Sequence, residues 1–204
     1  KVAERIYNYP EVNSVYLISG GFDFMDVLVL PKMTDEHAKE RTVDELPQSA
    51  SGKSIMTTEP KFVPKEAAEI QLAKDVSVLV RLIDCVGYMV EGAAGHMENG
   101  AERLVKTPWN EKEIPFTKAA EIGTKKVIHD HSTIGIVVTT DGSIGELPRN
   151  SYRAAEKKTI QELKSIGKPF VVLVNTRKPY SAEAKNVAEE IQKYYQVTAL
   201  PVNC

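Results

Sequence analysis

The sequence is poor in cysteine and has no long hydrophobic run. Its 2 cysteines, Cys85 and Cys204, are far apart and form no CxxC pair. A disulfide-stabilised scaffold is therefore excluded, and two isolated thiols favour a reducing compartment. No stretch approaches the roughly 20 apolar residues of a membrane span, and the first residues lack the pattern of a signal peptide. We expect a cytoplasmic protein.

An excess of charge of one sign is also missing. The 26 Lys and Arg residues nearly balance the 28 Asp and Glu residues, which leaves a net charge of -2 at pH 7. Without a positive field a chain does not attract nucleic acid, so we expect no nucleic-acid partner. A content of 42% hydrophobic and 26% charged residues in a chain of 204 is typical of one folded domain. We therefore predict a single domain over residues 1–204.

What the sequence contains is an alternation of strand and helix patterns. Strand patterns cover Val12–Ser19, Glu69–Leu72, Val76–Asp84, Thr133–Thr140, Phe170–Val174 and Val197–Val202, and helix patterns cover Thr117–His131, Tyr152–Ile166 and Ser181–Tyr195. The alternation in the second half predicts βαβ units on a mainly parallel sheet, with the 69–84 hairpin as an antiparallel edge. Pro47–Pro64 is predicted to be a loop. Residues 88–116 have no clear period, which predicts a long functional or mobile loop.

Four strand exits are candidates for a binding site, because α/β sheets bind ligands beyond the carboxyl ends of their strands. They are Gly20-Gly21, Asp84–Gly87, Thr139–Gly142 and Asn175–Arg177. Each is polar or rich in glycine, and together they could form a crevice of the size of a nucleotide. The alternative is that polar loops follow strands in any α/β protein.

The exit of the second hairpin strand carries the sharper pattern. An apolar run ends in Asp84, and Gly87 follows three residues later. In folds that hydrolyse phosphoanhydrides, such an Asp holds Mg²⁺, usually through water, and the Gly allows the backbone to approach the γ-phosphate. The alternative is an Asp that caps the turn at the end of a strand.

Ser51–Ser54 reads SGKS, which is similar to the second half of a P-loop. A P-loop would need Gly where the chain has Pro47, and a preceding strand where the chain is polar. We interpret these residues as part of a loop that leads to Thr57 and Thr58. Two threonines in such a segment could supply a hydroxyl to Mg²⁺ or to the attacking water, although an ordinary polar loop would have the same composition.

Three longer runs carry a resemblance to a known family. They are Asp44–Ser49, Gly52–Pro64 and Val80–Tyr88, and shorter stretches such as Thr107–Trp109 and Thr139–Gly142 continue them. Over roughly Val27–Cys204 the chain resembles the N-terminal ATPase domain of stage IV sporulation protein A, a family of spore-coat morphogenetic ATPases. The resemblance implies an α/β fold of the P-loop NTPase-like class, related to translation-factor GTPases, with one antiparallel edge strand and helices on both faces.

The resemblance also implies a function. It predicts ATP and Mg²⁺ as ligands, ATP hydrolysis, and self-association into the polymer that forms the basement layer of the spore coat. Other spore coat proteins would be partners, and the forespore membrane would be contacted only through regions outside this chain. The implied location is the mother-cell side of the forespore surface.

The resemblance assigns roles to residues of this chain by position. The expected catalytic residues are Thr57, Thr58, Asp84 and Gly87; Asp84, through water, and Thr58 would bind Mg²⁺; and Gly20, Gly21, Asp141 and Asn175 would bind the nucleotide. Asn175–Lys178 stands where GTPases carry the base-reading Asn-Lys-x-Asp, and only the Asn is present. Loss of the Asp that pairs with guanine agrees with a preference for ATP.

One departure from the family pattern leaves the activity open. After Gly20-Gly21 the chain runs directly into Phe22–Asp26, where the family has Gly, four residues and then Gly-Lys-Ser or Gly-Lys-Thr. The amides and the Lys that cradle phosphates are missing from the sequence. Three functions therefore compete: an ATP-hydrolysing assembly protein, a catalytically dead scaffold of the same fold, and a GTPase-like switch.

Overall fold

The computed structural model of the chain describes Met33, Asp35, Lys39 and residues 61–203, with the side chains of residues 61–66 left out. Four of the predicted site residues, Gly20, Gly21, Thr57 and Thr58, lie outside the described residues, and so does the predicted first strand. The described helices and strands therefore lie in the second and larger part of the chain.

An antiparallel hairpin opens the described part. Strands β1 (Lys61–Ala73) and β2 (Val76–Asp84) are joined by a two-residue turn. The predicted hairpin is confirmed, and in the described part of the chain its strands form a two-stranded sheet of their own. Strand β1 begins earlier than predicted, inside the expected Pro47–Pro64 loop. The register shifts between Val63 and Ala68. Pro64, which has no N–H to donate, falls in this irregular stretch, as proline in a strand usually does.

Three parallel strands form the central sheet. They are β7 (Gly135–Thr140), β8 (Phe170–Asn175) and β9 (Ala199–Val202), in the order β7-β8-β9. The sequences GIVVTT and FVVLVN are nearly continuous runs of apolar and β-branched residues, which is typical of parallel strands buried on both faces. Helix α2 (Arg149–Ser165) connects the first pair of strands, and helix α3 (Ala182–Tyr195) connects the second. The predicted βαβ units are confirmed.

Each face of the parallel sheet carries its own apolar cluster. On one face, Val137 and Val172 pack with residues of both connecting helices, among them Ile160 and Ile191. On the other face, the cluster contains Ile136, Val171, Leu173, and the hairpin residues Ala68, Ile70, Val80 and Leu82. Ile83 and Cys85 join the first cluster while Leu82 joins the second, because successive side chains of a strand point in opposite directions. The described helices therefore cover the first face.

Residues 88–116, predicted to be a long loop, contain two short hairpins. Strands β3 (Met97–Glu98) and β4 (Ala101–Glu102) form the first, and β5 (Leu104–Thr107) and β6 (Asn110–Pro115) form the second. The prediction of an irregular stretch was wrong for these residues. Their strands are short and mostly exposed, so they lack the alternation of apolar and polar residues that marks a half-buried strand.

The first helix ends in a wider turn. Helix α1 (Phe116–Lys126) continues directly into a π-helix (Val127–His131), within the span predicted as one helix. The ammonium group of Lys168 donates hydrogen bonds to the carbonyl oxygens of Ser132, at 2.6 Å, and of Ile128. The carbonyl of Ile128 also accepts from the Ser132 hydroxyl at 3.1 Å, so these bonds serve carbonyl groups at a helix end, where partners within the helix run out. No helix in the described part of the chain is long and apolar enough to cross a membrane.

Candidate functional site

The exit of β7 is organised by the carboxylate of Asp141. Its Oδ1 accepts a hydrogen bond from the backbone N–H of Ser143 at 2.9 Å, and its Oδ2 accepts one from the Thr176 hydroxyl at 2.5 Å. Burial raises the pKa of Asp141, but the hydrogen bonds from Ser143 and Thr176 favour the charged form and hold the pKa below its usual value. Asp141 is therefore ionised at neutral pH, and each of its two carboxylate oxygens is held by a hydrogen bond.

The residues at the exit of β8 are hydrogen-bonded to those at the exit of β7. Asn175 is buried at the end of β8 and Thr176 is 1% exposed. The Thr176 hydroxyl accepts a hydrogen bond from the backbone N–H of Lys178 at 3.2 Å, and the Ser143 hydroxyl accepts one from that of Arg177 at 3.0 Å. The backbone N–H of Thr176 donates to the carbonyl of Val202 at 2.9 Å, which adds the end of β9. Hydrogen bonds thus connect the three strand exits.

Gly142 brings the β7 exit against the start of helix α2. Its φ of +92° is rare for residues with a side chain, and a Cβ there would lie 2.8 Å from the backbone nitrogen of Arg149. The Arg149 guanidinium forms an ion pair with the buried carboxylate of Glu156 at 2.8 Å and donates to the Thr139 hydroxyl at 3.2 Å. The loop after β7 and the start of helix α2 are therefore closely packed against each other.

The exit of β2 borders a cavity at the same edge of the sheet. Gly87 has a φ of +78° and lines a cavity of about 200 Å³, together with Thr140 at the end of β7 and Asn175 at the end of β8. Tyr88, which follows, also lines it, and the Lys158 ammonium lies 4.4 Å from the centre of its ring. Burial raises the pKa of Tyr88, with smaller contributions from the carboxylates of Glu162 and Glu121. The tyrosine is therefore neutral at physiological pH.

Asp84 precedes the cavity-lining residue Gly87 by three positions in the sequence. Its side chain is half-buried, while Ile83 and Cys85 on either side of it are core residues. The two core neighbours fix the strand end that carries the carboxylate. Carboxylate oxygen is a hard ligand that suits Mg²⁺, and one carboxylate acting through water is a common arrangement for this ion. The donor at this position therefore fits the predicted metal.

The structure gathers part of the predicted site. Gly87 and Asn175 line one cavity, and Asp141 is hydrogen-bonded to the residue that follows Asn175. Ser143 was not predicted, and Thr176 was named only as part of the exit Asn175–Arg177, without a role of its own. The Asp-Gly-Ser order after β7 is a signal for Ser143, since Asp commonly accepts from the backbone two residues later. No local signal exists for Thr176, which lies 35 residues from Asp141.

The histidines of the π-helix stand apart from this edge. His129 Nε2 lies 2.7 Å from a carboxylate oxygen of Glu162 on helix α2. Among the residues that the structure describes, no group of three or more His, Cys, Asp or Glu side chains could hold a metal ion. A metal at the described strand exits would therefore be held by few protein ligands, together with the phosphates of a nucleotide and water.

A parallel α/β sheet with polar residues gathered at its carboxyl edge is the architecture of ligand-binding α/β proteins. A model of the family described as "Stage IV sporulation protein A, ATPase domain" matches residues 21–204. The chain belongs to this family.

Curated relatives agree with the family match. The chain is 56% identical over 180 residues to stage IV sporulation protein A of Clostridioides difficile (strain 630), 48% identical to that of Bacillus subtilis (strain 168) and 47% identical to that of Bacillus anthracis. Each alignment covers 88% of this chain, and the chain spans 37% of the length of each relative. Among solved structures, a probable GTP-binding protein engB is similar with a TM-score of 0.42 at 11% identity, covering 93% of this chain and 88% of that one.

Proposed function

We propose that this chain binds and hydrolyses Mg·ATP at the carboxyl edge of its parallel sheet, as the ATPase domain of a protein that polymerises into the basement layer of the spore coat. The observation that carries the proposal is the match of residues 21–204 to a family of sporulation ATPase domains. The meeting of the strand exits at one edge of the sheet supports it.

Asp84 and Gly87 would serve the phosphate end of the nucleotide. When bound, Mg²⁺ neutralises charge on the phosphate oxygens, which is the main requirement of phosphoryl transfer. The half-buried carboxylate of Asp84 would hold the ion through water. Gly87, with its positive φ and no side chain, would present its backbone N–H to the γ-phosphate. Thr57 and Thr58, outside the described residues, are proposed to supply hydroxyl groups for hydrolysis and for the metal.

Asn175 would serve the base end. It is buried at the end of β8, and the loop that follows it is hydrogen-bonded to the β7 exit. The position corresponds to the base-reading segment of GTPases, but no Asp follows that could pair with guanine. Selectivity for ATP over GTP is the expected result.

A catalytically dead scaffold is the second candidate function. The observation that favours it is the absence from the sequence of Gly, four residues and then Gly-Lys-Ser or Gly-Lys-Thr. Positioning and charge neutralisation dominate phosphoryl transfer, so loss of the loop amides and the Lys would greatly reduce turnover. Such a chain would polymerise without regard to nucleotide.

The test of hydrolysis is Asp84→Ala, with Asp75→Ala as its matched control at the opposite end of β2. Asp75 is exposed in the hairpin turn. We expect Mg·ATP turnover to fall at least about a hundredfold for Asp84→Ala, in line with the loss of a charge-stabilising group, and to remain unchanged for Asp75→Ala. Turnover that survives Asp84→Ala would contradict the assigned role.

Polymerisation is tested separately by sedimentation of the native chain with and without Mg·ATP. Pelleting that depends on Mg·ATP supports the ATP-driven assembly protein. Equal pelleting with and without nucleotide supports the scaffold instead.

A further inference from the structure

Two strand exits that are far apart in sequence share one closed set of hydrogen bonds. Asp141 accepts from the Thr176 hydroxyl, Ser143 accepts from the N–H of Arg177, and Thr176 accepts from the N–H of Lys178. The hydroxyls of Ser143 and Thr176 are themselves 3.4 Å apart. One side chain from each exit, Ser143 and Thr176, therefore binds one of two consecutive backbone amides of the loop after Asn175, and Asp141 holds the Thr176 hydroxyl in place.

This arrangement changes the role expected of Asp141. Each of its carboxylate oxygens already accepts a hydrogen bond from the protein, one from Ser143 and one from Thr176. A carboxylate held in this way is better suited to orient its neighbours than to contact a ligand. Thr176 is 1% exposed, so its hydroxyl is equally committed to the protein.

These hydrogen bonds restrict the conformation of Asn175 and the loop that follows it. Asn175 is immediately followed by Thr176, so the hydroxyl that binds Asp141 also fixes the backbone next to the predicted base-reading side chain. A buried hydroxyl without its partner would be unfavourable, so the closed set restricts the loop to one conformation. A fixed loop binds a ligand without first losing conformational entropy.

We propose that Asp141, Ser143 and Thr176 are positioning residues that hold the Asn175–Lys178 loop in the conformation that discriminates between adenine and guanine. The inference rests on the proposed function, since it requires a nucleotide at this edge. It goes further by assigning base selectivity to a hydrogen-bonded set that does not touch the base.

The experiment measures the ratio of the dissociation constants for GTP and ATP. Both nucleotides compete with a fluorescent ATP analogue on the native chain and on Thr176→Val, Thr176→Ser and Ser143→Ala. Loss of the Thr176 hydroxyl should lower the ratio about tenfold, the size expected for one hydrogen bond to a charged group. Thr176→Ser keeps the hydroxyl and should restore the ratio. Thr124→Val, the same change at a buried position in helix α1, is the control and should leave it unchanged.

The outcomes separate this inference from the proposed function. A lowered ratio in Thr176→Val and Ser143→Ala, with a native ratio in Thr176→Ser, supports the positioning role. An unchanged ratio overturns it, even if both affinities fall together, because a merely structural defect would weaken both nucleotides equally. If Thr176→Val does not fold, the partly exposed Ser143→Ala variant decides the question in the same way. A native chain that binds neither nucleotide overturns the proposed function, and this inference with it.

Discussion

Replacing Gly142 with Ala tests how closely the β7 exit is packed against helix α2. The Ala must adopt a φ of +92°, and its Cβ would lie 2.8 Å from the backbone nitrogen of Arg149. The positive φ costs about 1 kcal/mol. Relief of the collision costs about 1 to 3 kcal/mol more, because the contacted atom is backbone and cannot rotate away. We expect a total loss of about 2 to 4 kcal/mol of unfolding free energy.

Gly100→Ala is the matched control, because Gly100 has a similar φ of +80° but a Cβ at this position would have no atom within 4 Å. It should lose only about 1 kcal/mol. Urea denaturation followed by circular dichroism gives both values from the transition midpoint and slope. Equal losses for the two variants would refute the claim that the β7 exit is tightly packed on the start of helix α2.

The other predictions concern the core, the pH dependence and the surface. Leu163→Ala, at a fully buried position, should lose about 2 to 5 kcal/mol in the same urea assay, and a loss below about 1 kcal/mol would contradict its place in the core. Because the folded pKa of Asp141 is lowered, its contribution to stability is present above the unfolded pKa of about 4 and is lost as the pH falls through the folded value, so Asp141→Asn should flatten the acid limb of a stability profile. An unchanged acid limb would argue against the hydrogen bonds to Asp141. The ion pair between Arg153 and Glu190 is half exposed, so Arg153→Ala should change stability by at most about 1 kcal/mol, and a larger loss would show a contact beyond the ion pair.

The regular part of the fold could be predicted from local patterns. The run GIVVTT, the amphipathic pattern from Tyr152, and Ser181 as an N-cap are each local signals, and the structure places β7, α2 and α3 at them. The Ser181 hydroxyl accepts from the backbone N–H of Ala184 at 3.2 Å, as an N-cap should. Helices and strands that have a clear local pattern could therefore be predicted from the sequence.

The two short hairpins before helix α1 were harder to predict from the sequence. Its first hairpin turns at Asn99 and Gly100, with φ of 51° and 80°, and Asn-Gly is the strongest short signal for a hairpin turn. That signal was present but stood between two-residue strands, Met97–Glu98 and Ala101–Glu102, that are too short to show alternation. Short exposed strands leave little trace in hydrophobic pattern.

Only part of the candidate site could be predicted, because some of its contacts join residues that are far apart in the sequence. Asp141 and Asn175 stand at the carboxyl ends of the neighbouring parallel strands β7 and β8, so their approach at one edge could be expected from the topology of parallel sheets. The bond between Asp141 and Thr176 joins residues 35 positions apart, and no spacing rule links them. Topology brings strand exits together, whereas the hydrogen bonds between them depend on tertiary packing.

We propose that this edge of the sheet binds and hydrolyses Mg·ATP. The most direct test of this proposal is Mg·ATP turnover, with Mg·GTP as the control, on a preparation whose intact mass agrees with 22.6 kDa. We predict turnover of ATP and little or none of GTP. Absence of ATP turnover at that mass would contradict the proposed hydrolysis and favour the catalytically dead scaffold.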